Sequence, residues 1–136
     1  MLKVLVIDDD LAMTEILKYQ LTSNGLEVKV VNDGQTGLNS IESFKPNIII
    51  LDLLMPELDG WEVCKTIKSK NKIPVLILSA VDNPIRIAQT LDAGADDYLI
   101  KPVSSTSLIA HINNLVRRSE KQSALDNRKN QIQFSS

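Results

Sequence analysis

Four short apolar runs in this chain each end on a group that can do chemistry. Val4 to Ile7 leads into Asp8-Asp9-Asp10, and Ile48 to Leu51 leads into Asp52. Val75 to Leu78 leads into Ser79-Ala80, and Tyr98 to Ile100 leads into Lys101. Alone, Asp52 would read as the cap of a loop or helix; the other groups change that reading. Three carboxylates gathered at one place repel and raise each other's pKa. A hard divalent cation removes the conflict: Mg²⁺ takes oxygen ligands, keeps several waters and uses one or two carboxylates plus phosphate oxygens. Lys101 and the Ser79 hydroxyl supply a positive charge and a hydrogen-bond donor for a further oxyanion. Such a set suits a phosphoryl group bound on, or transferred to, an aspartate. A carboxylate can act as nucleophile and form an aspartyl phosphate, while metal and lysine stabilise charge on the transferred oxygens.

These groups work together only if the fold brings the ends of the runs together. Runs of four apolar residues rich in β-branched types read as strands buried on both faces. Between them lie helical patterns. Met13, Ile16, Leu17 and Leu21 share one face, then Leu38, Ile41 and Phe44, then Val63, Cys64 and Ile67. A fourth helix starts near Asp82 or Asn83, with Pro84 in its first turn. A fifth is capped by Ser104 or Ser105 and turns Leu108, Ile112, Leu115 and Val116 inward. Gly25 suits the left-handed cap ending the first helix, and Asp59-Gly60 opens the third. Leu26 to Val31 alternates, Val28 and Val30 against Glu27 and Lys29, as an edge strand does.

Five strands alternating with five helices predict an α/β fold, a doubly wound five-stranded parallel sheet covered on both faces. Right-handed crossovers restrict the topology, and 2-1-3-4-5 is a common order. In that order the strands ending at Asp8, Asp52, Ser79 and Lys101 are neighbours, and their carboxyl ends face one crevice.

Composition excludes several classes. The 136 residues suit one domain and a short tail. A net charge of −2 carries no basic footprint for nucleic acid. The single cysteine, Cys64, excludes an internal disulfide and fits a reducing compartment. No apolar run approaches the ~18 residues of a membrane span, and no signal peptide precedes Leu2-Lys3-Val4. A cytoplasmic protein without membrane contact is expected. From about Ser119 the chain turns polar, so 1–118 reads as the globular unit and 119–136 as a frayed helix end, linker or tail.

At this point the chain resembles the receiver domain of bacterial two-component response regulators, a flavodoxin-like (βα)5 fold. The resemblance rests on Val-Leu-Val-Ile-Asp8-Asp9-Asp10, Leu-Asp52-Leu-Leu-Met-Pro56, Asp59-Gly60, Leu-Ser79-Ala80 and Gly94-Ala-Asp-Asp-Tyr98-Leu-Ile-Lys101-Pro102. It covers residues 1 to about 118 and implies a role for each matching position. Asp52 would be the phosphoacceptor, served by a sensor histidine kinase or a small acyl phosphate. Asp8, Asp9, Asp52 and the backbone carbonyl of Leu54 would hold Mg²⁺. Ser79 would donate to the phosphoryl group and move toward it. Small Ala80 would leave the phosphate accessible, and Lys101 would pair with its oxygens, ahead of a cis bond to Pro102. Tyr98 would be the switch aromatic, rotating inward as Ser79 shifts. The only enzymatic act implied is the domain's own phosphorylation and dephosphorylation.

The pattern Gly-Ala-Asp-Asp-Tyr-Leu-x-Lys-Pro and the ending Leu-Val-Arg117-Arg118-Ser resemble receivers joined to winged-helix DNA-binding domains. In those, phosphorylation promotes a homodimer through the fourth helix, fifth strand and fifth helix. Ile132 to Ser136 resembles the start of the first strand of such an effector domain. DNA would be reached only through that further domain. Two departures put the usual interfacial ion pairs in doubt: His111 stands where that subfamily has Arg, and Ile87 where it has a basic residue. A stand-alone receiver acting by protein contact is the alternative output.

Other readings compete. Haloacid-dehalogenase-type phosphatases also use Asp-x-Asp, then Ser or Thr, then Lys, which Asp8-x-Asp10, Ser79 and Lys101 superficially match. Ala12 and the placement of Asp96-Asp97 before the last strand speak against it. A flavodoxin-like flavin binder would need a Ser/Thr-rich loop where this chain has three carboxylates. Among single residues, Asp10 reads as a helix cap, and Asp96 and Asp97 as solvated loop charges or subunit contacts. Trp61 and Cys64 read as packing of the third helix, and His111 as no phosphotransfer histidine.

Overall fold

Among the described residues the apolar runs form five parallel strands: β1 (Lys3–Ile7), β2 (Glu27–Val31), β3 (Ile48–Leu51), β4 (Val75–Ser79) and β5 (Asp97–Ile100). Their order is β2-β1-β3-β4-β5, as expected from the alternation. The helices between and after them are α1 (Leu11–Thr22), α2 (Gly34–Phe44), α3 (Gly60–Lys70), α4 (Pro84–Asp92) and α5 (Ser105–Ser135). The computed structural model describes the backbone of residues 1–135 and the side-chain surroundings of residues 1–129.

Alternation along the central strands sorts the core into two layers. Val4, Val6, Ile48, Ile50, Leu76 and Leu78 pack against Leu17 and Leu21 of α1 and Leu108, Ile112, Leu115 and Val116 of α5. Leu5, Ile7, Ile49, Leu51, Val75 and Ile77 face Ile41 of α2 and Val63, Cys64 and Ile67 of α3. The strand ends are flush in two pairs, with Ile7 opposite Leu51 and Ser79 opposite Ile100, while β4 runs two residues past Ile77, which lies opposite Leu51. This register sets Asp8 beside Asp52, and the Lys101 N–H donates to the Ser79 carbonyl at 2.9 Å.

Side chains begin the helices as the sequence suggested. Asp10 accepts from the Met13 N–H, Asp33 from Thr36, Asp59 from Trp61 and Asn83 from Ile85, each satisfying an orphan donor of a first turn. The Ser104 hydroxyl accepts from Ser107. Gly25 takes φ +83°, beyond a cap that Ser23 provides. The inward face of α1 differs from expectation. Ile16 is 53% exposed, and Thr14 is buried in line with Leu17 and Leu21. Thr14 can be buried because its hydroxyl is bonded to the Leu11 carbonyl and to Asn32.

The strand resembling an effector domain does not form. Helix α5 continues through Ser135, so Ile132 to Ser135 are helical, and Ser136 lies outside the described residues. No Pro or Gly interrupts residues 105–135 to stop the helix, and Lys72 reaches Asp126 of its extension at 3.4 Å. Among the described residues, no helix is long and apolar enough to cross a membrane.

Candidate functional site

The carboxyl edge of the sheet gathers the groups singled out from sequence. Asp8 and Asp52 leave β1 and β3 side by side, 2% and 7% exposed, while Asp9 stays in solvent. One oxygen of each of the three carboxylates falls within 4.8 Å of the others. Lys101, arriving from β5, donates to Asp8 at 2.8 Å and stands 3.6 Å from Asp52. Its bond to Pro102 is cis. Ser79 is fully buried at the end of β4, and Ala80 is exposed.

Each carboxylate is aimed by the local backbone. The Asp8 N–H donates to the Val31 carbonyl, and its Oδ1 accepts from the Asp10 N–H at 3.0 Å. The Asp52 N–H donates to the Ile7 carbonyl, and its Oδ1 accepts from the Leu54 N–H at 3.3 Å. Gly60 permits the turn after β3. A Cβ there would lie 2.2 Å from the Asp52 carbonyl oxygen, so only glycine lets α3 start this close to the end of β3.

Electrostatics follow from crowding. Burial pushes the Asp8 carboxyl above its ordinary range, an effect only partly offset by the hydrogen bond from Lys101. Lys101 loses solvation too, yet its pKa is raised because the Asp8 and Asp52 charges outweigh burial. The lysine thus stays charged between two carboxylates. The chain arranges three oxygen ligands for one cation and a fixed ammonium beside them, a donor set that fits a hard oxygen-seeking metal ion rather than a soft one.

A cleft of about 390 Å³ opens beside this cluster, lined by Asp9, Leu53 to Pro56, Asp59, Val81 and Arg86. Leu54 and Val81 therefore both wall the approach. Tyr98 is half-buried, and its hydroxyl donates to the Val81 carbonyl at 2.6 Å. The Val81 N–H in turn donates to Ser79 Oγ at 3.2 Å. Burial raises the Tyr98 phenol pKa, and the nearby Ser79 side chain offsets part of the rise. Tyr98, Val81 and Ser79 thus form one linked unit.

Several residues take other places than expected. Asp96 keeps the solvent exposure expected of it but is also tied to the fold: it accepts from Lys68 at 2.9 Å and from the Val75 N–H at 2.8 Å, pinning the start of β4. Asp97 meets His111 Nδ1 at 2.6 Å within the same chain. Cys64 is buried, and burial pushes its thiol up to about 11, leaving it unreactive packing. Trp61 packs α3 as expected but also reaches α4, its indole donating to the Gln89 carbonyl at 3.4 Å. Sequence reasoning missed Asn32. Its amide donates to the Asp8 carbonyl at 2.9 Å and to Thr14 Oγ1 at 3.3 Å, holding the acidic loop from behind. In sequence it reads only as part of the Asn-Asp-Gly turn. Arg86 was missed too, because its partner Asp59 lies 27 positions earlier.

The class of protein is now defined by comparison as well as by geometry. The response regulator receiver domain family matches residues 4–113. The chain belongs to this family of two-component signalling domains, which displaces the phosphatase and flavin readings. It is 41% identical over 125 residues to the response regulator MprA of Mycobacterium bovis, covering 91% of this chain and 54% of that protein. It thus spans about half the length of such relatives. Among solved structures, the receiver domain of Francisella response regulator 1452 is 38% identical, with a TM-score of 0.82 over 88% of this chain and 99% of that one. A CheY-like receiver from Methanospirillum hungatei is 27% identical, with a TM-score of 0.84 over 90% of this chain and 98% of that one.

Proposed function

We propose that this receiver domain is switched by phosphorylation of Asp52 by a sensor histidine kinase, or by a small acyl phosphate in its place. The observation that carries the reading is the convergence of Asp8, Asp9, Asp52 and Lys101 at one sheet edge. An Asp52 carboxylate oxygen attacks phosphorus, the bond to the donor breaks, and the donor leaves with the electron pair. Asp8, Asp9, Asp52 and the Leu54 carbonyl would hold Mg²⁺, which when bound offsets charge on the phosphoryl oxygens. Lys101 would transfer its pairing from Asp8 toward those oxygens. Ser79 would donate to another, and Tyr98, coupled to Ser79 through Val81, would carry the shift to the α4–β5 surface. No turnover of an external substrate follows from this chemistry.

The output is a proposal of the same kind. We infer that residues 1–118 act as the receiver and that 119–136 lead toward a further, DNA-binding domain of a cytoplasmic transcriptional regulator; the chain spans about half the length of the response regulators it matches. Phosphorylation would favour a homodimer through α4, β5 and α5. In this chain Asp97 is already engaged by His111, so that interface would draw on apolar contact around Ile87 more than on ion pairs.

The deciding experiment is labelling by acetyl phosphate with Mg²⁺. Asp52→Asn, which keeps the volume and loses the nucleophile, should abolish it with the fold intact; persistent labelling on Asp8 or Asp9 sinks the assignment. For output, beryllofluoride should shift the chain toward dimer in sedimentation. A monomer at high concentration with the mimic bound favours the stand-alone receiver.

A further inference from the structure

The cleft beside Asp9 has two walls. One is the loop that follows the acceptor, Leu53 to Pro56, continuing to Asp59; the other is Val81 and Arg86, following Ser79. Arg86 donates across it to Asp59 Oδ2 at 2.6 Å. Both ends of the pair are anchored. Asp59 Oδ1 accepts from the Trp61 N–H at 2.9 Å, and the Arg86 guanidinium stands 5.7 Å from the centre of the Trp61 ring. Helix α4 buries only Thr90 completely, so few apolar contacts hold its first turn over the cleft, and a polar link there has leverage. The wall side chains Leu54 and Val81 have no hydrogen-bonding groups that could bridge the gap themselves.

We propose that the Arg86–Asp59 pair is a strap across the mouth of this cleft that sets how fast small phosphodonors and hydrolytic water reach Asp52. The inference rests on the phosphoacceptor reading above. In labelling, the Asp52–phosphorus bond forms as the donor's acyl oxygen–phosphorus bond breaks. In loss, a water oxygen bonds to phosphorus, the Asp52–phosphorus bond breaks, and the water's proton goes to solvent. The strap touches neither bond; it gates the approach to both. With side chains 31% and 46% exposed, the pair is open to screening by salt.

The test compares wild type, Arg86→Ala, Arg86→Lys and Asp59→Asn, the last of which keeps a side-chain oxygen to cap α3. Labelling by acetyl phosphate with Mg²⁺ is followed first, then phosphate loss after donor removal, each at low and high salt. Arg86→Ala and Asp59→Asn should speed both processes about threefold, the scale of an exposed ion pair, with Arg86→Lys between. Wild-type rates should move toward those of Arg86→Ala as salt rises. Unchanged rates in variants that fold and label overturn the strap. So does slower labelling with unchanged loss, which would mean that Arg86 draws the anionic donor in. If wild type itself fails to label at Asp52, the acceptor reading falls and the strap with it.

Discussion

The floor of the site and its outer wall are built differently. Strands β1, β3 and β4 are buried along almost their whole length, and Asp8, Asp52 and Ser79 sit at their ends with little or no exposure. On the other side, β5 is at most half-buried and ends on exposed Ile100. Helix α4 is held by Thr90, the Trp61 contact and an exposed ion pair. Asp52 and Lys101, in the roles proposed for the pair, must be held to within a fraction of an ångström, which close packing provides. An element that signals must exchange between two positions, so it belongs to the loosely held part of the fold. Tyr98 lies on the boundary, its ring against the buried layer and its hydroxyl bonded to the Val81 carbonyl in the loop after β4.

The sharpest way to break this contrast is to strain the floor. Gly60→Ala places a methyl against the Asp52 backbone, which cannot give way, and should cost about 3 kcal/mol, at the upper end for overpacking. Chemical denaturation measures it. A loss below about 1 kcal/mol would mean that the floor yields like the wall.

Next in size is the lifetime of the phosphorylated state. Leu54 and Val81 flank the approach to Asp52 and cannot orient a water. Leu54→Asn with Val81→Glu should speed phosphate loss about tenfold, within the ~10²-fold that positioning can supply. A double variant that loses phosphate no faster shows these side chains to be spectators.

The third prediction concerns what the floor costs. The Asp8 carboxyl is raised by burial, so its favourable contribution exists only while it is protonated and is lost as pH rises through the folded-state value. At neutral pH its charge therefore subtracts from stability. Asp8→Asn should stabilise the metal-free protein by about 1 kcal/mol at pH 7, while weakening Mg²⁺ binding. The difference in Tm should close as pH falls below that value. A less stable variant at pH 7 would show that the Lys101 bond outweighs burial.

The smallest effect belongs to the boundary. Tyr98→Phe removes one hydrogen bond to the Val81 carbonyl and should cost about 1 kcal/mol or less. Its main readout is the response of the α4–β5 surface to beryllofluoride, followed by Trp61 fluorescence. An unchanged response would take Tyr98 out of the signal path.

The strand order, the helix starts at Asp10, Asp59 and Asn83, and the meeting of Asp8, Asp52, Ser79 and Lys101 were legible in the residues alone. The reason is that they rest on local patterning: buried runs, turn chemistry and right-handed crossovers leave few ways to assemble βα units. The roles of Asp96, Asp97, Asn32 and Arg86 were not legible. Each makes a contact with a residue 14 to 28 positions away, and nothing in the spacing of polar surface residues specifies which pairs will meet. The exposure of Ile16 in place of Thr14 is of the same kind, decided by an Asn32 amide from another strand's end. The sequence by itself determined which groups stand at the sheet edge, because hydrophobic period and register are written along one chain. Only the tertiary structure decided which polar side chains tie the walls of the cleft together, because those bonds depend on where separate elements come to rest.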